Sequence, residues 1–443
     1  MKKIISILLS IILLSVLFSA CGNNDDYDYG LNDEATSETF ADDVNANDEQ
    51  SYNQLTEVPS GFIGIYSVDD LINSGNNEYG NYILMADLDL SEIEDWESIS
   101  NRGEFNGNCH TISNLKSTQG GLFKHCENVE NLILKDVNIN YNEDNGDDRS
   151  AYIGAIGNSN CGIVINCKAD GSITCVLSGK NADKSSGEAD NSEASVGGII
   201  GHVYVDENKK DILISNCVND IVINAKNNAK DGSMMVGGIV GSASEELKVT
   251  ECENNSAISV SQKYSNDAEI SLSYLGINGT GGIAGYAHYG SVSLTKCINR
   301  GNVKSDCSTG GIIGTLAMDV SSTMIDSCNN FGTITTTSLC ENAASGGIVG
   351  ACNINNDNES IADQIVTSCY NLGKIGNDDV YCGHIAGRLH DGMTISYCQY
   401  YNNGQKINIT GTGEMYADNN EITLNEAKDI FPNEKLWFGI KKR

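Results

Sequence analysis

Six histidines, sixteen cysteines and sixty acidic side chains are the groups in this 443-residue chain that could do chemistry. The histidines are His110, His125, His202, His288, His384 and His390, and no H-E-x-x-H run places two of them on a zinc-hydrolase helix. His384 and His390 stand six apart in a glycine-rich, strand-like context, which is not a helical metal pair. No G-x-S-x-G elbow and no phosphate loop occurs. The recurrent G-G-I-x-G runs lack a strand-to-helix context and repeat too often to be nucleotide loops. Paired carboxylates could act on a glycosidic bond. Asp206, Glu245, Glu251, Glu253 and Asp326 are the candidates, but they fall at different offsets from the repeat and read as solubilising surface acids. The residues therefore name no catalytic group, no metal site and no cofactor.

One cysteine is set apart by its place. Lys2 and Lys3 precede an apolar run from Ile4 to Ala20, the pattern of an export signal over 1–20. Ser19-Ala20-Cys21-Gly22 resembles the lipobox of bacterial lipoproteins, with Phe18 where Leu is usual. That resemblance implies cleavage before Cys21 and a diacylglyceryl group on its sulfur. The membrane is then a partner through Cys21, and the chain faces outside the cell. The alternative is a cleaved signal with Cys21 unmodified. Residues 21–59 carry ten acids by Gln50 and no Lys or Arg, which predicts an extended, disordered tether. The net charge of -33 argues against nucleic acid, whose phosphates need a basic surface.

The other cysteines belong to a repeat. "GGIIG" starts at Gly197 and Gly310, "GGIVG" at Gly237 and Gly346, "GGIAG" at Gly281; looser copies start at Gly120, Ile153 and Gly383. Each is followed by a cysteine: Cys126, Cys167, Cys217, Cys252, Cys297, Cys328, Cys369 or Cys398. From Cys167 onward an aliphatic residue stands three before the cysteine. Asn219, Asn254, Asn299, Asn330 and Asn371 stand two after it in five successive copies. Intervals vary while motifs stay fixed, as in a solenoid with loop insertions. Short apolar segments of strand period, with glycine and asparagine at the bends, predict a right-handed parallel β-helix.

In that fold, coils lie about 4.8 Å apart and like residues stack. The asparagines should form an amide ladder, each donating to the next. The glycine pair should let the backbone turn without a Cβ clash. Stacked cysteines have parallel Cβ vectors about 4.8 Å apart, too wide for the disulfide range of roughly 3.5–4.5 Å. The stacked thiols are thus expected to be reduced, buried packing residues. Cys109, Cys161, Cys175, Cys307, Cys340, Cys352 and Cys382 lie off the stack, and their pairing stays open.

These motifs resemble the GLUG-repeat bacterial surface proteins over roughly Gly61 to Gln405. "SVDDLINSG" from Ser67 reads as a capped helix, "GNYILMADLDL" as a strand, and "EFNGNCHTISNLK" from Glu104 resembles that family's opening of the β-helix. The resemblance implies 60–115 as N-terminal cap and lead into the β-helix, and 116–413 as repeats. Some members carry a peptidase domain; its H-E-x-x-H is missing here. Residues 414–443 switch to a helical pattern, with Thr423 and Glu426 at capping-box spacing and Pro432 as a stop, and read as a cap over the last coil. The leading functional reading is a lipid-anchored adhesion or binding module for a host or microbial glycan or a matrix protein. Long polar inserts at 174–195, 225–234 and 259–278, with Tyr264 and Tyr274, form its candidate recognition edge. A polysaccharide lyase or hydrolase and a passive spacer are the alternatives.

Overall fold

A computed structural model of the chain describes residues 54–143, 150–160, 162–178, 192–205, 212–229, 232–262, 278–317, 320–337, 343–352, 364–376, 381–389, 393–402, 404–405, 407–412 and 420–434. Cys21, the signal segment, most of the tether, Cys161, Asp206, Tyr264, Tyr274, Cys340, His390, Trp437 and Phe438 lie outside them. The described residues form a parallel β-helix. A 25-stranded and a 16-stranded sheet run along it, and neighbouring coils pair in parallel. One coil consists of Glu193–Gly197, Ile200–Val203, Leu213–Ser215 and Val218–Asn227, here called faces 1 to 4. Faces 1 to 3 stack into the larger sheet and face 4 into the smaller. Pairing already begins at Ile63–Ile65 on Tyr82–Leu84, so the coils extend into 60–115. The helix α1 (Val68–Ser74) is set beside that first coil, with Ser67 Oγ accepting from Asp70 N at its N-cap.

The register stacks the motifs. Gly154, Gly197, Gly237, Gly281, Gly310, Gly346 and Gly383 lie one above the next. The aliphatics three before each cysteine, Val164 to Ile395, are buried, as are those six after it. The core is a narrow aliphatic shaft, and each coil closes it with the same few side chains.

The corner between faces 3 and 4 is made by the residue before each stacked cysteine. Asn166, Asn216, Glu251, Lys296, Ser327, Ser368 and Tyr397 all hold φ between 52 and 56°. A left-handed backbone costs a side-chain-bearing residue about 1 kcal/mol. What offsets the cost is bonding between coils at the same corner: Asn216 N donates to Thr250 O, and Glu251 N to Thr295 O. The thiols join in. Cys217 Sγ lies 3.6 Å from Val164 O and Cys297 Sγ 3.6 Å from Val249 O, each bridging to the coil below. The cysteine is thus a small apolar residue that also donates weakly to a carbonyl at the bend.

One member of the expected stack does not belong to it. Cys126 pairs with Asn160 in face 2. The corner of that coil is made by Asn131, with φ 54°, followed by Leu132, whose carbonyl accepts from Lys168 N as Cys167 O accepts from Val218 N. The column therefore runs Leu132, Cys167, Cys217, Cys252, Cys297, Cys328, Cys369, Cys398. The motif order misled because Cys126 follows a glycine pair at a shorter distance than any other copy.

The glycine pairs do a different job from the one the sequence suggests. None of the stacked pairs holds a positive φ. Their glycines are needed for close approach: a Cβ on Gly282 would lie 2.1 Å from Gly311 O and 2.3 Å from Asn299 Cγ. The second glycine of each pair faces the asparagine of the same coil across the shaft, so G-G and C-x-N are two halves of one contact.

The C-terminal helix α2 (Leu424–Ile430) has the capping box at Thr423 and Glu426. It does not sit over the end of the coils. Asn420–Glu421 adds a further strand to face 4, and α2 then runs back along the outside of that face, over Phe331, Leu372 and Tyr370. Among the described residues, no helix is long and apolar enough to cross a membrane.

Candidate functional site

The asparagine ladder is continuous over five coils. Nδ2 of Asn219, Asn254, Asn299 and Asn330 each donates at 2.8 Å to Oδ1 of the next asparagine, and Asn371 ends the run. The second Nδ2 proton goes to the carbonyl two residues on, as Asn299 to Gly301 O at 3.0 Å. All five side chains are buried. Ala169 precedes the ladder and Tyr400 follows it. From Asn219 to Asn330 the amides are satisfied by one another and by backbone groups, and only Nδ2 of the terminal Asn371 is buried without a partner among the described residues; the run is scaffold.

The thiol column is likewise closed. Cys217, Cys252, Cys297, Cys328 and Cys369 are fully buried, and the thirteen described cysteines are free thiols. Burial pushes Cys297, Cys328 and Cys369 well above the ordinary thiol range, with the neighbouring thiol adding to it. Burial also holds the off-column Cys175 up at about 12. Complete burial denies the whole column access to a reagent, and at Cys297, Cys328 and Cys369 the thiolate is disfavoured as well, so these are poor nucleophiles. A disulfide-exchange titration should find the column silent in the native protein and fully reactive in denaturant. Near-zero free thiol after unfolding would overturn this.

The candidate carboxylates are dispersed. Glu251 holds a corner and meets Lys296 at 3.4 Å; Glu253, in face 4, pairs with Arg300 at 2.8 Å. Glu245 sits in a turn with φ 76°, and Asp326 ends a face 3 strand, where it accepts from Ser327 Oγ. The expected insert edge has a defined base. Three inserts leave the end of face 4 and return at the start of face 1, and buried polar groups close their mouths. Glu143 accepts from Ser178 N and Ser192 Oγ, Asn227 Nδ2 donates to Gly232 O, and Gln262 Nε2 donates to Asn278 Oδ1. The insert tips lie outside the described residues.

A second arrangement was not singled out from the sequence. The fifth residue after the first glycine of each pair points away from the shaft on face 2. The column reads His125, Ser159, His202, Ser242, Tyr286, Thr315, Ala351, Arg388. His202 is sandwiched between rings: Tyr152 at 4.5 Å and 16°, and Tyr204 at 6.4 Å and 9°. Two coils on, about 10 Å along the axis, His288 lies 5.9 Å from Tyr286 and 3.7 Å from Tyr289, which is 49% exposed. The offset from the glycine pair would have found this strip, but only once the register was known.

The strip contains serine–histidine contacts, and their proton directions decide what they can do. Ser195 Oγ is 2.6 Å from Gly201 O and 2.7 Å from Ser242 Oγ, and His202 Nδ1 is 2.8 Å from Ser242 Oγ. A carbonyl only accepts, so the Ser195 proton goes to Gly201 O and the Ser242 proton to Ser195. His202 must then donate from Nδ1. Ser159 repeats the pattern: its hydroxyl donates to Lys124 O at 3.1 Å and takes the Nδ1 proton of His125 at 2.7 Å. Neither Ser159 nor Ser242 can give its proton to an imidazole. Ser244 Oγ does lie 3.3 Å from Nε2 of His202, the nitrogen left to accept, but burial lowers that imidazole to about 4, too weak a base to activate a hydroxyl.

Burial holds both imidazoles neutral. It lowers His125, with Arg102 and Lys124 adding to it, and lowers His202 to about 4. Burial also raises the Tyr152 phenol, with Glu193 second. The middle of the strip, from Tyr152 to Tyr289, therefore presents neutral rings with hydrogen-bonding edges at neutral pH. The depressed His202 has a stability consequence. The unfolded chain takes up the proton near 6.5 and the fold only near 4, so its contribution is present above pH 6.5 and lost as pH falls toward 4. Between pH 7.5 and 4.5 the wild type should lose about 2–3 kcal/mol more unfolding free energy than His202→Gln. Urea melts at the two pH values check this, and equal losses would refute it.

A crystal structure of a "putative immunoglobulin A1 protease" from Bacteroides ovatus is similar to this chain at 18% identity and a TM-score of 0.42, covering 73% of this chain and 83% of that one. No protein-family model and no curated protein matches the chain.

Proposed function

We propose that the chain is a lipid-anchored surface rod that binds an uncharged partner, a neutral glycan or a neutral stretch of matrix protein, along face 2. The observation that carries this reading is the stacked strip of Tyr152, His202 and Tyr204, continued by Tyr286, His288 and Tyr289. Aromatic rings and neutral imidazoles stack on sugar or peptide planes and offer edges to hydroxyls and amides. From Tyr152 to Tyr289 the strip carries no Lys or Arg to grip a sulfate or carboxylate and no carboxylate pair to cleave a glycosidic bond. Its cations stand at the two ends, Lys124 beside His125 and Arg388 three coils beyond Tyr286. Anchoring through Cys21, and kinship with the GLUG-repeat surface proteins, rest on the sequence motifs and belong to the same reading.

Two measurements test it separately. Cys21→Ala should move the protein from the membrane fraction to the medium; retention on the membrane would remove the lipid anchor. A panel of neutral and acidic glycans and matrix proteins should retain the folded protein on neutral members, with at least tenfold weaker retention for Tyr204→Ala combined with Tyr289→Ala. Binding unchanged by that pair, or retention on acidic glycans alone, would overturn the proposed surface. Release of reducing ends from the panel would favour the hydrolase or lyase alternative.

A further inference from the structure

We infer that the segment Ile422–Glu434 is a strap that ties the last coils into one cooperative unit. In a solenoid each coil touches only its neighbours, so stability is a sum of nearest-neighbour terms and an end unwinds coil by coil. The C-terminal end of this β-helix is poorly built to resist that. Face 4 presents ten-residue strands at Ile133–Asn142, Lys168–Leu177 and Val218–Asn227. Further on it breaks into shorter pieces: Ile298–Asn299 with Val303–Ser305, Asn329–Asn330 with Ile334–Thr336, Tyr370–Asn371 with Ile375–Gly376, and at the last coil Gln399–Tyr400 alone among the described residues. These coils pair over fewer residues on that side than the ten-residue strands do, and fewest at the last coil.

The strap lies over that stretch. Asn299, Asn330, Asn371, Tyr400 and Glu421 occupy one row in successive coils, so the return from Ile422 to Arg300 crosses four coil steps, about 19 Å. Phe331, Leu372, Ile422 and Ala427 form a buried cluster outside the shaft. Phe431 sits edge-on to both Phe331 and Tyr370 at 5.2 Å, bridging two coils with one ring. The far end is fixed by Arg300. Its Nε donates to both carboxylate oxygens of Glu434 at 3.1 Å, and its Nη1 to Glu253 at 2.8 Å. Glu434 is 7% exposed, and this is the most buried ion pair among the described residues. Arg300 therefore joins its own coil, the coil of Glu253 and the strap, while the strap's other end grows from the last winding. A coil cannot leave the end without first breaking contacts three and four coils away.

The test is hydrogen exchange on the full chain. In the wild type, amides of faces 3 and 4 from Cys297 to Tyr400 should open together with a common free energy. In Phe431→Ala, and separately in Arg300→Gln, protection there should fall about 10- to 100-fold and become graded, lowest at Gln399–Tyr400 and rising toward Cys297. Amides of Ile133–Asn142 and Val218–Asn227 should be unchanged. Unaltered protection at Tyr370–Tyr400 in both variants would overturn the inference. So would an equal fall along the whole rod, since that would report general destabilisation and not a local tie.

Discussion

Asn299→Ala lowers the unfolding free energy by about 4 kcal/mol, the cost of orphaning three buried polar groups at roughly 1–3 kcal/mol each. Asn299 accepts from Asn254 Nδ2 and donates to Asn330 Oδ1, both at 2.8 Å, and donates again to Gly301 O at 3.0 Å. Alanine removes all three. Its methyl group cannot refill the space, and water has no path into a residue row that is fully buried. The size of the effect depends on position in the ladder, which separates this account from simple loss of volume. Asn371 closes the run: it accepts from Asn330 Nδ2 and Gly373 N, and its own Nδ2 has no partner among the described residues. Asn371→Ala should therefore cost about 1 kcal/mol less than Asn299→Ala. Asn299→Asp should be worse than alanine, because a carboxylate cannot donate to Asn330 Oδ1 and would be buried beside it as an unpaired charge. Urea melts of the three variants check the order. Equal costs for the two alanine variants would mean that packing, not the amide chain, sets the stability of the corner.

How much of this was legible beforehand follows from what the sequence can encode in residue type. The β-helix was readable because stacking forces like residues onto like positions, and G-G, C-x-N and the flanking aliphatics keep their spacing while loops vary. The amide ladder was readable for the same reason. The left-handed corner was not: Asn166, Glu251, Lys296, Ser327 and Tyr397 share a backbone angle and no chemistry. Their conformation is imposed by the coils above and below and not chosen by the side chain. Cys126 was misplaced because motif order was followed where register decides. The imidazole strip was overlooked because its residues differ in type from coil to coil, and only the pairing shows them to be one column. The C-terminal helix announced its start through Thr423 and Glu426, but nothing local says where a helix docks. That depends on Phe331 and Tyr370, which become neighbours only after the shaft has formed.

Gly282→Ala should be at least as damaging as the loss of Asn299, at about 4 kcal/mol or more, although it adds only one methyl group. Overpacking of a rigid site is expensive when the obstacle is backbone, which cannot rotate away. The added carbon would meet Gly311 O at 2.1 Å and Asn299 Cγ at 2.3 Å, so either the next coil lifts or the amide ladder bends. Both break hydrogen bonds along the rod. Gly376→Ala is the control: its Cβ would come within 3.1 Å of the Thr335 side chain and no nearer than 3.6 Å to backbone, and should cost less than about 1 kcal/mol. The chain contains its own comparison. At the coil where the ladder stops, the second glycine is replaced by His384 and the asparagine by Tyr400, and their rings stack at 4.3 Å and 17°. The two positions change together because they face each other across the shaft: a small residue opposite an amide, or a ring opposite a ring. A Gly282→Ala protein that unfolds within 1 kcal/mol of the wild type would show that the coils have slack at this contact. The close approach that joins the glycine pairs to the asparagine ladder would then not be what holds the coils in register.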